Sequence, residues 1–149
     1  MLRVLFLRSR GIIGFVIRLF IGTHFNHVAL IHNGKMYESD RNGAVEIDME
    51  TYIKDSIEIR TIYTNLSDHA LQDNIDYIIK RSKPLPYDYT NLLLWQPLYQ
   101  LTGKWIGRGT PNELICSEFV ARVLELEDPD RISPKDLYKI SEPVIIKRT

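Results

Sequence analysis

The sequence predicts a single α+β domain, residues 1–149, in which a small antiparallel sheet packs against helices. Three observations predict it. Short β-favouring runs between residues 28 and 62 are separated by Asn-Gly pairs, the two-residue signal of tight hairpins. Two later stretches, 67–82 and 113–127, carry apolar residues at helical spacing. The chain has 149 residues, 44% hydrophobic and 26% charged, which is enough to bury one core without disulfide or metal support.

Taken in order, RVLFL at residues 3–7 reads as a strand, and Ile12 to Ile21 as a short amphipathic helix. The opening superficially resembles an export signal, but Arg8, Arg10 and Arg18 interrupt the apolar run and no small-residue cleavage site follows. A membrane span needs roughly 20 mostly apolar residues, so neither a signal peptide nor a transmembrane helix is expected. HVALIHNGKMYES then reads as a hairpin: Val28 to Ile31, a turn at Asn33-Gly34, and Lys35 to Ser39. A second turn at Asn42-Gly43 introduces AVEIDM, Met49 to Asp55 makes a helical excursion, and IEIRTIYT alternates as a strand.

Leu71, Ile75, Ile78 and Ile79 define a helix over 67–82, with Ser67 or Asp68 as its cap. KPLPYDYTNLLLWQPLYQLTGKW is punctuated by Pro84, Pro86 and Pro97, so one or two short helices are expected there. From Glu113 to Glu127, Phe119, Val120, Val123 and Leu124 oppose Glu118, Arg122 and Glu125, which predicts an apolar and a charged face. Cys116 lies on the apolar side. Thr110-Pro111-Asn112-Glu113 has the form of a capping box, which would put Cys116 in the second turn. A Ser133-capped turn and a strand from Val144 to Lys147 complete the chain.

Nineteen basic residues balance nineteen acidic ones, so no overall field draws the protein to nucleic acid, and none is expected as a partner. One cysteine cannot form an intramolecular disulfide. His24, His27 and His32 have a spacing that matches no usual zinc pattern, and no second cysteine helps, so neither metal nor cofactor is expected. The amphipathic segment 12–21 suits core packing, with peripheral lipid contact as its alternative use.

Chemistry centres on Cys116. A thiol becomes a strong nucleophile when ionised, and a helix N-terminus or a nearby imidazolium favours the thiolate. His27, opening a central strand, is the candidate base. An acid must orient the imidazole, and Glu38 on the partner strand is the candidate. A turn centred on Asn33-Gly34 pairs position 27 near 39 or 40, so Glu38 is a diagonal neighbour, with Ser39 or Asp40 as substitutes. The plainer alternative is that Cys116 is a small buried hydrophobe and His27 a structural strand residue.

These segments together resemble the circularly permuted branch of the NlpC/P60 papain-like superfamily, which includes YiiX-like proteins. The resemblance lies in an ordered set: RVLFLRSRGIIGFVIRLF, FNHVALI, KMYES, GAVEIDMETYI, PYDYTNLL, ICSEFVARV and SPKDL, spanning roughly residues 2 to 140. It implies a papain-like fold with the nucleophile near a helix N-terminus. Position by position it implies Cys116 as nucleophile, His27 as base and then acid, and Glu38 as the orienting group. The backbone N–H of Cys116 would serve an oxyanion, and Tyr87 or Tyr89 would line the site unless they pack in the core. The implied activity is that of a cysteine peptidase or amidase cleaving a cell-wall peptide, a protein or an acylated amine. Lipid acyl transfer, thioester hydrolysis and a non-catalytic binding module are the alternatives. A cytoplasmic or phage-associated protein is expected.

Overall fold

The computed structural model describes residues 1–8, 24–40, 43–49, 56–81, 94, 96–104 and 116–144. The predicted helix 12–21, most of the excursion after Met49, Tyr87, Tyr89 and the Thr110 box lie outside these residues. Strands β1 (Leu2–Leu7), β2 (His27–His32), β3 (Lys35–Asp40), β4 (Gly43–Ile47), β5 (Ser56–Ile62) and β6 (Glu142–Pro143) form one antiparallel sheet in the order β4-β3-β2-β1-β5-β6. Its helices are α1 (Asp68–Arg81), α2 (Gln96–Thr102), α3 (Cys116–Val123) and α4 (Pro134–Ile140), with a 3-10 turn at Pro129–Arg131. None of the described helices is long and apolar enough to cross a membrane.

The continuous apolar run of β1 follows from its central place, where both faces are covered and only Arg3 is exposed. On one face Leu2, Val4, Phe6, Val28, Leu30 and Tyr37 pack with Leu71 and Ile75 of α1, Phe119, Val120 and Val123 of α3, and Leu137 of α4. On the other face Leu5, Leu7, Ala29 and Met36 form a smaller cluster with Ile31, Ile47, Met49 and Ile59.

Asn33 and Gly34 both have positive φ, 50° and 75°, the mirror-image turn whose twist matches the strands it joins. This turn sets the register Leu30↔Tyr37, Ile31↔Met36 and His32↔Lys35. The Ser67 hydroxyl accepts from the Ala70 N–H at 3.1 Å and caps α1. Ser133 and Asp136 make a reciprocal capping box, so the predicted turn there becomes helix α4.

One helix-end expectation changes. Helix α3 stops at Val123 rather than near Glu127, because Glu125 takes a left-handed conformation (φ 55°), its N–H donates to the Arg122 carbonyl at 3.1 Å and the Leu126 N–H reaches back to the Ala121 carbonyl at 3.0 Å, a Schellman end. The last described strand is the short pair Glu142–Pro143, and of the predicted strand Val144 to Lys147 all but Val144 lies outside the described residues.

Candidate active site

His27 opens β2, paired with Leu7 at the end of β1. The residues before it are fixed on both sides of the chain. The Asn26 N–H donates to the Leu7 carbonyl at 3.1 Å, and the Phe25 ring stacks on Tyr138 of α4 at 5.0 Å between centroids.

Continuing the hairpin register places Glu38 opposite Ala29, one diagonal step from His27 on the same face of the sheet. The diagonal is short enough: His27 Nε2 lies 2.6 Å from Glu38 Oε2. Glu38 is 2% exposed, and a carboxylate so deeply buried requires a charged or hydrogen-bonding partner. Ser39 has the opposite strand parity. It pairs with Ala44, itself part of the main core, and is fully buried. Asp40 pairs with Gly43 at the end of β3.

Cys116 is the first described residue of α3, and it is 1% exposed. It acts on the same imidazole. Burial alone would push His27 down, since it penalises the charged ring. The charge of Cys116 and a hydrogen bond with it, followed by the hydrogen bond and charge of Glu38, outweigh this and raise the imidazole from 6.5 to about 10. The imidazole is thereby held between a sulfur and a carboxylate, each of which favours its charged form.

One feature of α3 departs from the helical-wheel expectation. Glu118, predicted on a charged outer face, is 1% exposed, because residues 116 to 121 are all buried. Its Oε1 accepts from Arg122 Nε at 3.0 Å and from Arg122 Nη2 at 2.6 Å. Ser117 is also fully buried. The charged periodicity hides Glu118; the only trace of it in the sequence is the Glu-to-Arg spacing of four.

His32 is separate from this cluster: its Nε2 donates to the Asp68 carbonyl at 3.0 Å and ties β2 to the start of α1. Among the described residues no group of three or more His, Cys, Asp or Glu side chains is arranged to hold a metal ion.

No protein-family model and no curated protein matches the chain. Its fold is nevertheless similar to the crystal structure of metalloprotein yiiX from Escherichia coli O157:H7, with a TM-score of 0.51 and 16% sequence identity, covering 91% of this chain and 89% of that one. A likeness at this identity speaks of architecture alone, and in architecture the chain has a YiiX-like α+β fold.

Proposed function

We propose that the protein is a cysteine hydrolase of the permuted papain-like kind, cleaving an amide bond through an acyl-enzyme. The observation that carries this reading is one imidazole, His27, held by a buried carboxylate at 2.6 Å and raised to about 10 chiefly by Cys116. A structural histidine needs neither a sulfur neighbour nor a buried carboxyl group.

With Nε2 engaged by Glu38, Nδ1 is the nitrogen left to exchange a proton with Cys116. The Cys116 thiolate attacks the substrate carbonyl carbon, forming the C–S bond as the carbonyl π electrons move to oxygen. His27 then protonates the leaving amine as the C–N bond breaks, which leaves a thioester. Now neutral, His27 takes a proton from water, whose oxygen attacks the thioester and releases the acid and the thiolate. Glu38 keeps the ring oriented and offsets the imidazolium charge. The Cys116 N–H at the helix end is the proposed oxyanion donor.

The test is the pH dependence of Cys116 alkylation by iodoacetamide in wild type and His27→Ala, run beside mass spectrometric trapping of the acyl-enzyme from peptide esters. An unperturbed thiol reacts with a midpoint of roughly 8.5. Wild type is expected to react well below that pH, and His27→Ala to lose the difference. Cys116 is 1% exposed, so the rate also reports how readily the site opens. Reaction of wild type only under denaturing conditions would overturn the proposal.

A further inference from the structure

Asparagine followed by glycine can lose its side-chain amide without an enzyme, because glycine has no Cβ to keep its nitrogen from reaching the carbonyl carbon of the preceding side chain. In a folded chain the rate depends on how firmly that nitrogen is tied into structure. At the turn between β2 and β3 it lies outside the ladder: the pairing ends at His32↔Lys35, and Asn33 and Gly34 are both exposed. The space where a side chain on Gly34 would sit is open. The Asn33 amide meets α1 in an exposed contact, its Nδ2 donating to Gln72 Oε1 at 3.4 Å, which is long for a hydrogen bond.

We propose that Asn33 is a site of spontaneous deamidation, and that its isoaspartate product distorts the turn that brings His27 and Glu38 together. The Gly34 nitrogen gives its proton to solvent base and attacks Asn33 Cγ. A C–N bond forms, the Cγ–Nδ2 bond breaks, and ammonia leaves behind a five-membered imide. Water then opens one of the two imide carbonyls. Opening at Cγ gives aspartate in an ordinary chain. Opening at the main-chain carbonyl gives isoaspartate, whose backbone runs through Cβ and Cγ and is longer by one carbon. Aspartate, like asparagine, tolerates the left-handed conformation of position 33, φ 50°. Isoaspartate puts its extra carbon inside a two-residue turn, where no further residue separates it from the His32↔Lys35 pair. His27 and Glu38 sit on the two strands so joined, and their 2.6 Å contact does not survive a displacement of about 1 Å. The reaction at Asn33 is independent of the hydrolase reading; its effect on Cys116 chemistry rests on that reading.

The experiment ages the native protein at mildly alkaline pH, with near-ultraviolet circular dichroism to establish native packing, and maps its peptides by mass spectrometry with fragmentation that separates isoaspartate from aspartate. The Asn33 peptide is expected to gain the mass of an amide-to-acid exchange, with isoaspartate among the products. Asn33→Gly keeps a two-residue turn of the same type, has no amide to lose and should not change. The Asn42-Gly43 pair is read separately in the same map. The isoaspartate form, isolated by its added negative charge, is then compared with fresh wild type and with Asn33→Asp in the His27 NMR titration and in Cys116 alkylation at pH 7. Its His27 midpoint should fall toward the ordinary value and alkylation should slow several-fold, whereas Asn33→Asp should match fresh wild type. An Asn33 peptide that stays intact in the native protein, while a synthetic peptide of the sequence IHNGKM reacts, overturns the site. Isoaspartate at position 33 with an unmoved His27 midpoint overturns its effect on the turn. Failure of the hydrolase reading looks different: fresh wild type would already show an ordinary thiol, and the mass gain at Asn33 would be the same.

Discussion

At the scale of single residues, the His27 imidazole is caught between opposing effects. Burial favours the neutral ring, whereas Cys116 and Glu38 favour the charged one and prevail. The sign is therefore fixed: His27 stays protonated through neutrality and loses its proton as the pH rises through about 10. A histidine-selective NMR titration should place its midpoint far above the ordinary 6.5. Both Cys116→Ala and Glu38→Gln should lower that midpoint, with the cysteine change the larger because its charge heads the raising causes. A midpoint that ignores both substitutions would remove the basis for a coupled pair. Under the proposed mechanism the protonated form is needed at the leaving amine, so acylation should decline on the alkaline side as His27 deprotonates.

At the scale of elements, the hairpin was legible because Asn-Gly selects one turn type, and the turn type fixes the register. The diagonal relation of His27 and Glu38 could be read from it; the 2.6 Å approach could not, since strand twist and side-chain torsions decide that. Helix α3 was legible as amphipathic but mistaken on one face. Pattern alone sends Glu118 to solvent, and only the arrangement of the neighbouring chain buries it. Its C-terminus was missed for a related reason: the left-handed residue is Glu125 rather than the usual glycine, so no local signal marks the stop. Asn74 compensates, donating to the Val123 carbonyl and Glu125 Oε1, each at 3.0 Å. Asn74→Ala should destabilise the protein by about 1–2 kcal/mol, measured by urea unfolding, because it strips a helix-end carbonyl of its partner. Phe119→Ala, in the fully buried face of α3, should cost more, about 3–5 kcal/mol.

At the scale of the whole molecule, the C-terminal part of the chain is bound back to the sheet beside the candidate site. Arg60 of β5 donates to the Ser141 hydroxyl at 2.7 Å, to the Ser141 carbonyl at 2.6 Å and to Glu58 at 2.7 Å, with its guanidinium 4.0 Å from the Tyr138 ring centroid. Tyr138 donates to the other Glu58 oxygen at 3.0 Å and touches both Phe6 and Phe25. Apart from the Arg60–Glu58 pair, these contacts were not visible in the sequence, because they join positions about eighty or more residues apart. Tyr138→Phe keeps the ring contacts and loses only the hydroxyl, so a loss of about 1 kcal/mol is expected in thermal or urea unfolding. Tyr138→Ala also removes the surface that Phe25 rests on, two residues before His27. It should lower the alkylation rate of Cys116 at pH 7 as well as stability, whereas Tyr138→Phe should leave that rate unchanged.

The turn at Asn33-Gly34 has a consequence for how such a chain can change. Side chains along a strand alternate, so one extra residue in that loop would carry Glu38 to the opposite side of the sheet while the apolar pattern of β2 stayed as it is. A single codon, six residues from the histidine, could thus silence the proposed chemistry without touching any of its three proposed participants. Loop length here behaves as an on-off setting for the site, and lineages of this fold that retain cysteine and histidine can be sorted by that count before any assay is run.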